Sequence, residues 1–411
     1  MQIKQILNKN EIKKTYRDGV NALPFLLSVI FFGITNSIAK ALMNNYLADI
    51  VKISKIQLGV VEFFRELPGL FLIFILAYLY KQSEKKNYQT AIIISIVGFL
   101  GLTFLGTSFW VVVIFLVMNS LGEHISMQVR QSLSVEMAKS NMSGKSLGIM
   151  QGSLSLGNIL GFLVVPILFL ILAALGFSRD KAISYKTIYF IAMLIAIVAY
   201  IFTSKIPELA VEPKTGPKIY FHKKYGKYYI LSFFYGARKQ IFLTFAPFVL
   251  VLNYDASASY MSLLFAITAG LSIIFGPIIG RIIDRVGYKK VMIFDTLILI
   301  IVCFFYGYAH LLFSHEVAFY VVSINYVLDA ILSLCSMASL VYCRELSKNQ
   351  EEFSKTITTG ISVNHLISIV IALLGGLIWQ VAGIETLFTI SAILGALNSI
   401  FAATIKKGKL G

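Results

Sequence analysis

Gly280-Arg281-Ile282-Ile283-Asp284-Arg285-Val286-Gly287-Tyr288-Lys289-Lys290 is a polar turn set between two long apolar stretches. Gly280 and Gly287 allow tight backbone approach and a sharp reversal, and the basic residues hold such a turn at a headgroup surface. Its one acid, Asp284, needs a positive partner. The start of a later apolar segment, around Thr356 to Thr358, offers backbone N–H groups and the positive end of a helix dipole.

Outward from this turn the chain repeats one pattern. Hydrophobic segments fall at 20–46, 56–80, 89–107, 110–138, 146–175, 185–204, 228–252, 257–281, 290–313, 317–343, 357–381 and 386–405. Of the 411 residues 57% are hydrophobic and 14% charged, against about 25% charged in soluble domains. Twelve spanning helices of about 20 residues need about 240, which leaves ample chain for loops. Most junctions are short. The exception is 205–227, which carries Pro207, Pro213 and Pro217 with six lysines. The expected organisation is a cytoplasmic tail over 1–19, a helical bundle over 20–204, a cytoplasmic linker over 205–227, a second bundle over 228–405 and a tail over 406–411.

The net charge of +16 sorts by side. With the N-terminus inside, the cytoplasmic tails and loops hold 26 Lys or Arg, the outer loops five, and the segments themselves five. This places a multi-pass protein in the cell membrane with both termini cytoplasmic. It disfavours nucleic acid as a partner, since no soluble basic domain exists to bind it. The basic start, Met1 to Arg17, runs into an apolar stretch without a small-residue cleavage site and reads as a tail. Cys303, Cys335 and Cys343 lie inside apolar segments with no paired spacing, and the five histidines are scattered, so neither a disulfide framework nor a metal site is indicated. Gly144-Lys145-Ser146 lacks the upstream glycine of a phosphate-binding loop, Lys139 standing there instead, so ATP-driven transport is disfavoured. No cofactor is expected, and a monomer is.

The turn at 280–290 has the form G-x-x-x-D-R-x-G-x-K-K and resembles the signature loop of the major facilitator superfamily. The resemblance implies an all-α integral membrane protein of about twelve transmembrane helices in two six-helix bundles around a central cavity, working by alternating access. Segments one, four, seven and ten line the cavity in that family. Its loop acts as a cytoplasmic latch, which gives Gly280, Asp284, Arg285 and Gly287 a gating role here. The equivalent first-half loop, 77–86, lacks both glycines and the aspartate. Segment two begins near Lys55 and segment eight near Ala256, an offset of about 200 residues that fits a parallel repeat. Segment five carries Gly148, Gly152, Gly157 and Gly161 before Pro166, a small-residue stripe for close packing, and segment eleven carries Gly360, Gly375 and Gly376 before Trp379.

Ionisable groups inside a bilayer cost at least about 2.5 to 3.5 kcal/mol each, so each needs a partner or a purpose. They are Lys40 in segment one; Glu62, Arg65 and Glu66 in two; Glu123, His124 and Arg130 in four; Arg238 and Lys239 in seven; Asp329 in ten; and His365 in eleven, with Asp295 near the cytoplasmic end of nine. Segments three, six and twelve carry none in their interiors. Glu62, Arg65 and Glu66, spaced i, i+3 and i+4, put both carboxylates on one face with the arginine between them, followed by Pro68 and Gly69, which weaken the helix. This set is either a structural clamp or a proton-coupling cluster. One arginine neutralises one carboxylate and leaves the other to a proton.

Arg238 and Lys239 point about 100° apart, so one of them faces the pathway squarely. The interior basic groups exceed the acidic ones by one, which favours a substrate bearing a carboxylate or phosphate at Arg238 or Lys239. The alternative is that Asp329 and Glu123 neutralise both. Asn36, Lys40, Tyr235 and Tyr326 add substrate-facing polar groups. Glu62, Glu66, Glu123, His124, Asp329 and His365 are the candidates for moving protons, since low dielectric favours neutral carboxyls. The expected function is a secondary active transporter of a small solute, proton-coupled, with a preference for an organic anion. A proton-driven drug or metabolite exporter, and a polytopic sensor or intramembrane enzyme, are the alternatives; no catalytic residue is indicated.

Overall fold

The computed structural model describes residues 9–79, 82–139, 142–178, 181–208 and 221–405, and these are almost wholly helical. A short α1 (Lys9–Thr15) precedes α2 (Leu23–Asn45), which runs on as a π-helical turn over Tyr46–Val51. Then come α3 (Lys55–Leu79), α4 (Glu84–Phe104), α5 (Phe109–Met137), α6 (Ser143–Ala174) and α7 (Ala182–Ser204). Beyond the linker, α8 (Gly226–Gln240) passes through a π-helical turn, Ile241–Phe245, into α9 (Ala246–Tyr254). There follow α10 (Ala258–Val286), α11 (Tyr288–Leu312) and α12 (His315–Leu332), the last joined by a 3₁₀ turn at Ser333–Ser336 to α13 (Met337–Leu346). The chain closes on α14 (Gln350–Ala403), two helices that meet at Gly383, whose φ of 86° breaks the ladder. The central part of the expected linker, 209–220, the first eight residues and the tail 406–411 lie outside the described residues, as do positions 80 and 81 of the first-half loop.

Among the described residues, nine helical stretches are long and apolar enough to cross a membrane by length and composition. The longest, Lys355–Ala403, holds two spans because Gly383 divides it. Two further rods fall short of that measure because of the charge they carry: α3 with Glu62, Arg65 and Glu66, and Gly226–Tyr254 with Arg238 and Lys239. Counted with these, the helices fit the twelve spans expected. Their outward faces are apolar, with Phe74, Trp110, Ile274 and Leu311 among many exposed large side chains, as lipid-facing surfaces are.

The chain forms two compact units. The first comprises Met1–Lys52, Phe71–Gly216 and Ala258–Ala266. Its core gathers Phe25, Phe32, Tyr88, Val129, Met137 and Met150, with Phe25 and Phe32 edge-on to Tyr88. Gly157 and Gly161 bring α6 onto the backbone of α2 at Ile30 and Ile34, where a Cβ would collide, whereas Gly148 faces open space. The glycine stripe is therefore a packing seam at Gly157 and Gly161. The start of α10 packs on α6, Ser262 donating to the Phe162 carbonyl and Phe265 packing its ring on Phe162.

The second unit comprises Ile53–Leu70, Pro217–Ser257 and Ile267–Gly411. Its core gathers Tyr225, Tyr228, Leu231, Met292, Tyr342 and Cys343. The start of α3 belongs here because Gly59 and Gly376 let the backbones of α3 and α14 cross with no room for a Cβ on either. Lys55 then lays its ammonium over the Trp379 ring, 5.1 Å from the centroid. α3 runs unbroken through Pro68, so the weakening expected there does not interrupt the helix.

One expectation about the opening turn is corrected. Gly287 has a φ of 91° and makes the reversal between α10 and α11. Gly280 lies inside α10 with no atom within 4 Å of where its Cβ would stand, so the tight approach expected of it is absent. The close helix crossing falls to Gly59 and Gly376 instead.

Candidate functional site

α8 carries Tyr235, Arg238 and Lys239 in its last two turns, just before the ladder widens into the π-helical turn at Ile241–Phe245. Such local departures from α geometry cost backbone hydrogen bonding and concentrate at functional sites. Arg238 is buried, at 5% exposure, and Lys239 is half-buried. The Arg238 guanidinium lies 5.5 Å from the centre of the Tyr235 ring, a cation–π contact that shields it from solvent without neutralising it. The Tyr235 hydroxyl donates to the Ser333 carbonyl at 3.3 Å, tying α8 to the 3₁₀ turn after α12. Close to Arg238 are Asp329 from α12 and Asp295 from α11, both within its electrostatic reach. Among the described residues, neither comes within ion-pair distance of it. Asp295 accepts from Thr296 Oγ1 at 3.3 Å, and Asp329 Oδ1 is buried with no hydrogen-bond partner. Tyr326 stands one turn before Asp329, half-buried.

The second cluster joins α3 to α14. Arg65 Nη1 donates to Glu62 Oε1 at 2.5 Å, and Glu62 is buried. Glu66 Oε2 lies 2.8 Å from His365 Nδ1. Each carboxylate of the i, i+4 pair thus has its own basic partner, one on the same helix and one on α14. The Gly59–Gly376 crossing holds the two helices close enough for the second contact.

In the first unit, His124 Nδ1 is 2.8 Å from the Ser120 carbonyl and 3.2 Å from the Ser120 hydroxyl, contacts within its own helix. Glu123 is exposed and acts electrostatically on buried Arg130, which donates to Ser126 Oγ at 3.2 Å. Asn36 keeps a buried Oδ1 with no partner, and the Lys40 ammonium lies 5.3 Å from the Phe265 ring centre. In the opening turn, Asp284 and Arg285 are both exposed, and among the described residues Asp284 makes no ion pair or hydrogen bond.

Two features of the site carry little signal in the sequence. Asp295 is visible as an acid in an apolar segment, yet its distance from the middle of the span hides its approach to Arg238. The 3₁₀ turn at Ser333–Ser336, which offers a carbonyl to Tyr235, has no sequence signal beyond two serines in an apolar run.

Basic and acidic side chains set inside membrane-spanning helices, some of them paired across helices, are costly in a bilayer and mark the functional part of a membrane protein. The family model of the Major Facilitator Superfamily matches residues 25–323 and 228–408, and the chain belongs to that superfamily of transporters. Comparison with curated proteins finds no match. Among solved structures, the chain is similar to the nucleoside transporter NupG, with 14% identity over 94% of this chain and 100% of that one and a TM-score of 0.70. It is similar to the xylose transporter XylE from E. coli in a partially occluded inward-open conformation, with 13% identity, coverage of 95% and 98% and a TM-score of 0.68. A POT family transporter in complex with 5-aminolevulinic acid gives 12% identity, coverage of 96% and 99% and a TM-score of 0.73. Likeness at these identities is likeness of fold.

Proposed function

We propose that the protein is a proton-coupled secondary transporter that moves a small organic anion by alternating access, with Arg238 as the principal anion-binding group. The observation that carries this reading is a buried guanidinium that, among the described residues, has no ion pair, although two carboxylates lie within its field. A buried, incompletely neutralised cation is costly, and an anionic ligand that completes its pairing offsets that cost. Lys239, Tyr235 and Tyr326 surround the ligand on α8 and α12; in the first unit, Asn36 and Lys40 are further solute-binding groups. Glu66 and His365, in contact across two helices, are the leading proton relay, with Glu62, Glu123, His124 and Asp329 as further proton-exchanging groups. Gly280, Asp284, Arg285 and Gly287 form the gate, assigned to the cytoplasmic side of the cell membrane by the sorting of basic residues.

The test is flux through the purified protein in proteoliposomes under an imposed pH gradient, with pooled organic anions compared against pooled lipophilic cations. Anion movement that follows the gradient is expected. Movement of cations and no anions overturns the reading and favours a drug exporter.

A further inference from the structure

We infer that the anion taken by this site also carries a cationic nitrogen: the substrate class is a small zwitterion, its carboxylate on Arg238 and its ammonium on Asp329. This rests on the anion reading above and adds the second pole.

Two groups of opposite sign stand here without satisfying each other. Arg238 on α8 is buried and, among the described residues, neither ion-paired nor hydrogen-bonded. Asp329 on α12 has a buried Oδ1 that accepts nothing. The two act on each other electrostatically without forming an ion pair, so each is open to one pole of a ligand. Their neighbours do not fill these roles. The Tyr235 hydroxyl is committed to the Ser333 carbonyl, and Asp295, the second acid near Arg238, already accepts from Thr296.

A plain anion would satisfy Arg238 and leave the Asp329 oxygen unpaired, and a plain amine would do the reverse. Either leaves a buried charged group short of a partner, which is the expensive case. A ligand with both poles closes both gaps at once. On this reading Asp329 serves the substrate rather than the proton, which leaves Glu66 and His365, in contact between α3 and α14, as the leading relay.

The experiment uses matched probes on the full-length purified protein: 4-aminobutyrate, butyrate and butylamine, and phenylalanine, 3-phenylpropionate and 2-phenylethylamine. Apparent affinity is read from ligand-dependent thermal stabilisation of wild type, Asp329→Asn and Arg238→Gln. In the wild type, at least one zwitterion is expected to bind about 10- to 100-fold more tightly than its matched anion, the worth of one charge-assisted hydrogen bond. Asp329→Asn is expected to abolish the advantage of the zwitterion over its matched anion, and Arg238→Gln to remove the binding of both. Anions binding as tightly as zwitterions in the wild type overturn this inference and leave the anion reading standing. Amines binding alone, or no response to any of the six probes, overturns both. The wild-type comparison decides the matter even where Asp329→Asn does not fold.

Discussion

Glu66 and His365 stand 299 positions apart in the chain and 2.8 Å apart in space. Only half of that arrangement is legible in sequence. The spacing of Glu62, Arg65 and Glu66 puts two acids and one base on a single helical face, so a carboxylate left over from the arginine follows from counting. Its partner does not follow, because it is fixed by the crossing of α3 and α14 at Gly59 and Gly376, which no local pattern announces. If this pair carries the coupled proton, Glu66→Gln is expected to abolish uphill uptake driven by a pH gradient while substrate exchange between equally loaded compartments persists; counterflow alongside driven uptake checks this. Arg238 is the companion case. Its position in an apolar segment flags it in the sequence, but only the structure separates it, buried over Tyr235, from half-buried Lys239. Arg238→Gln is expected to lower substrate affinity by about tenfold or more, while Lys239→Gln has a smaller effect, read from concentration-dependent initial rates.

At the scale of elements, hydrophobic runs mark the helices well because each must meet apolar surroundings along its full length. The gap between the last two segments, 381 to 386, falls on Gly383, where positive φ breaks α14. The π-helical turns at Tyr46–Val51 and Ile241–Phe245 leave no such trace, since they shift the hydrogen-bond register without changing composition. The α3–α14 crossing is a direct target. A Cβ at Gly59 meets the Ala372 carbonyl, so Gly59→Val forces the helices apart, with an expected cost of about 1 to 3 kcal/mol and a lower unfolding temperature in detergent.

The segment around α1 is held differently. Tyr16 and Ala138 form an isolated β-bridge, Glu11 pairs with Lys145 and Asp18 with Lys139. The Lys145 ammonium, by hydrogen bond and charge, holds the Glu11 carboxyl below its ordinary value. A lowered folded-state value means that this support is fully present above the unfolded value, about 4.3, and lost as pH falls through the folded one. Hydrogen exchange in residues 9–20 is expected to rise on acidification below pH of about 4, and Lys145→Gln to raise it at neutral pH as well.

For the whole molecule, charge distribution tells more than any motif. Segments three, six and twelve, free of interior charge, are separated in the sequence from those that carry it, and this division follows from the cost of a charge facing lipid. What hydropathy leaves unread is the ligand, since specificity depends on which of the buried charges find partners within the folded units. The gate proposed at the opening turn belongs to this scale. Asp284 is exposed and, among the described residues, without an ion pair or hydrogen bond. Asp284→Asn is expected to slow net transport about fivefold or more while leaving equilibrium binding intact, a split that rate and affinity measurements on the same preparation resolve.

The most direct test of the central claim follows proton and anion movement together in proteoliposomes containing wild type or Arg238→Gln. An outside-acidic pH gradient is expected to drive anion flux with accompanying proton entry in the wild type, and Arg238→Gln to lose both. Anion flux that ignores the gradient, or that survives in Arg238→Gln at the wild-type rate, would contradict a proton-coupled anion carrier centred on that guanidinium.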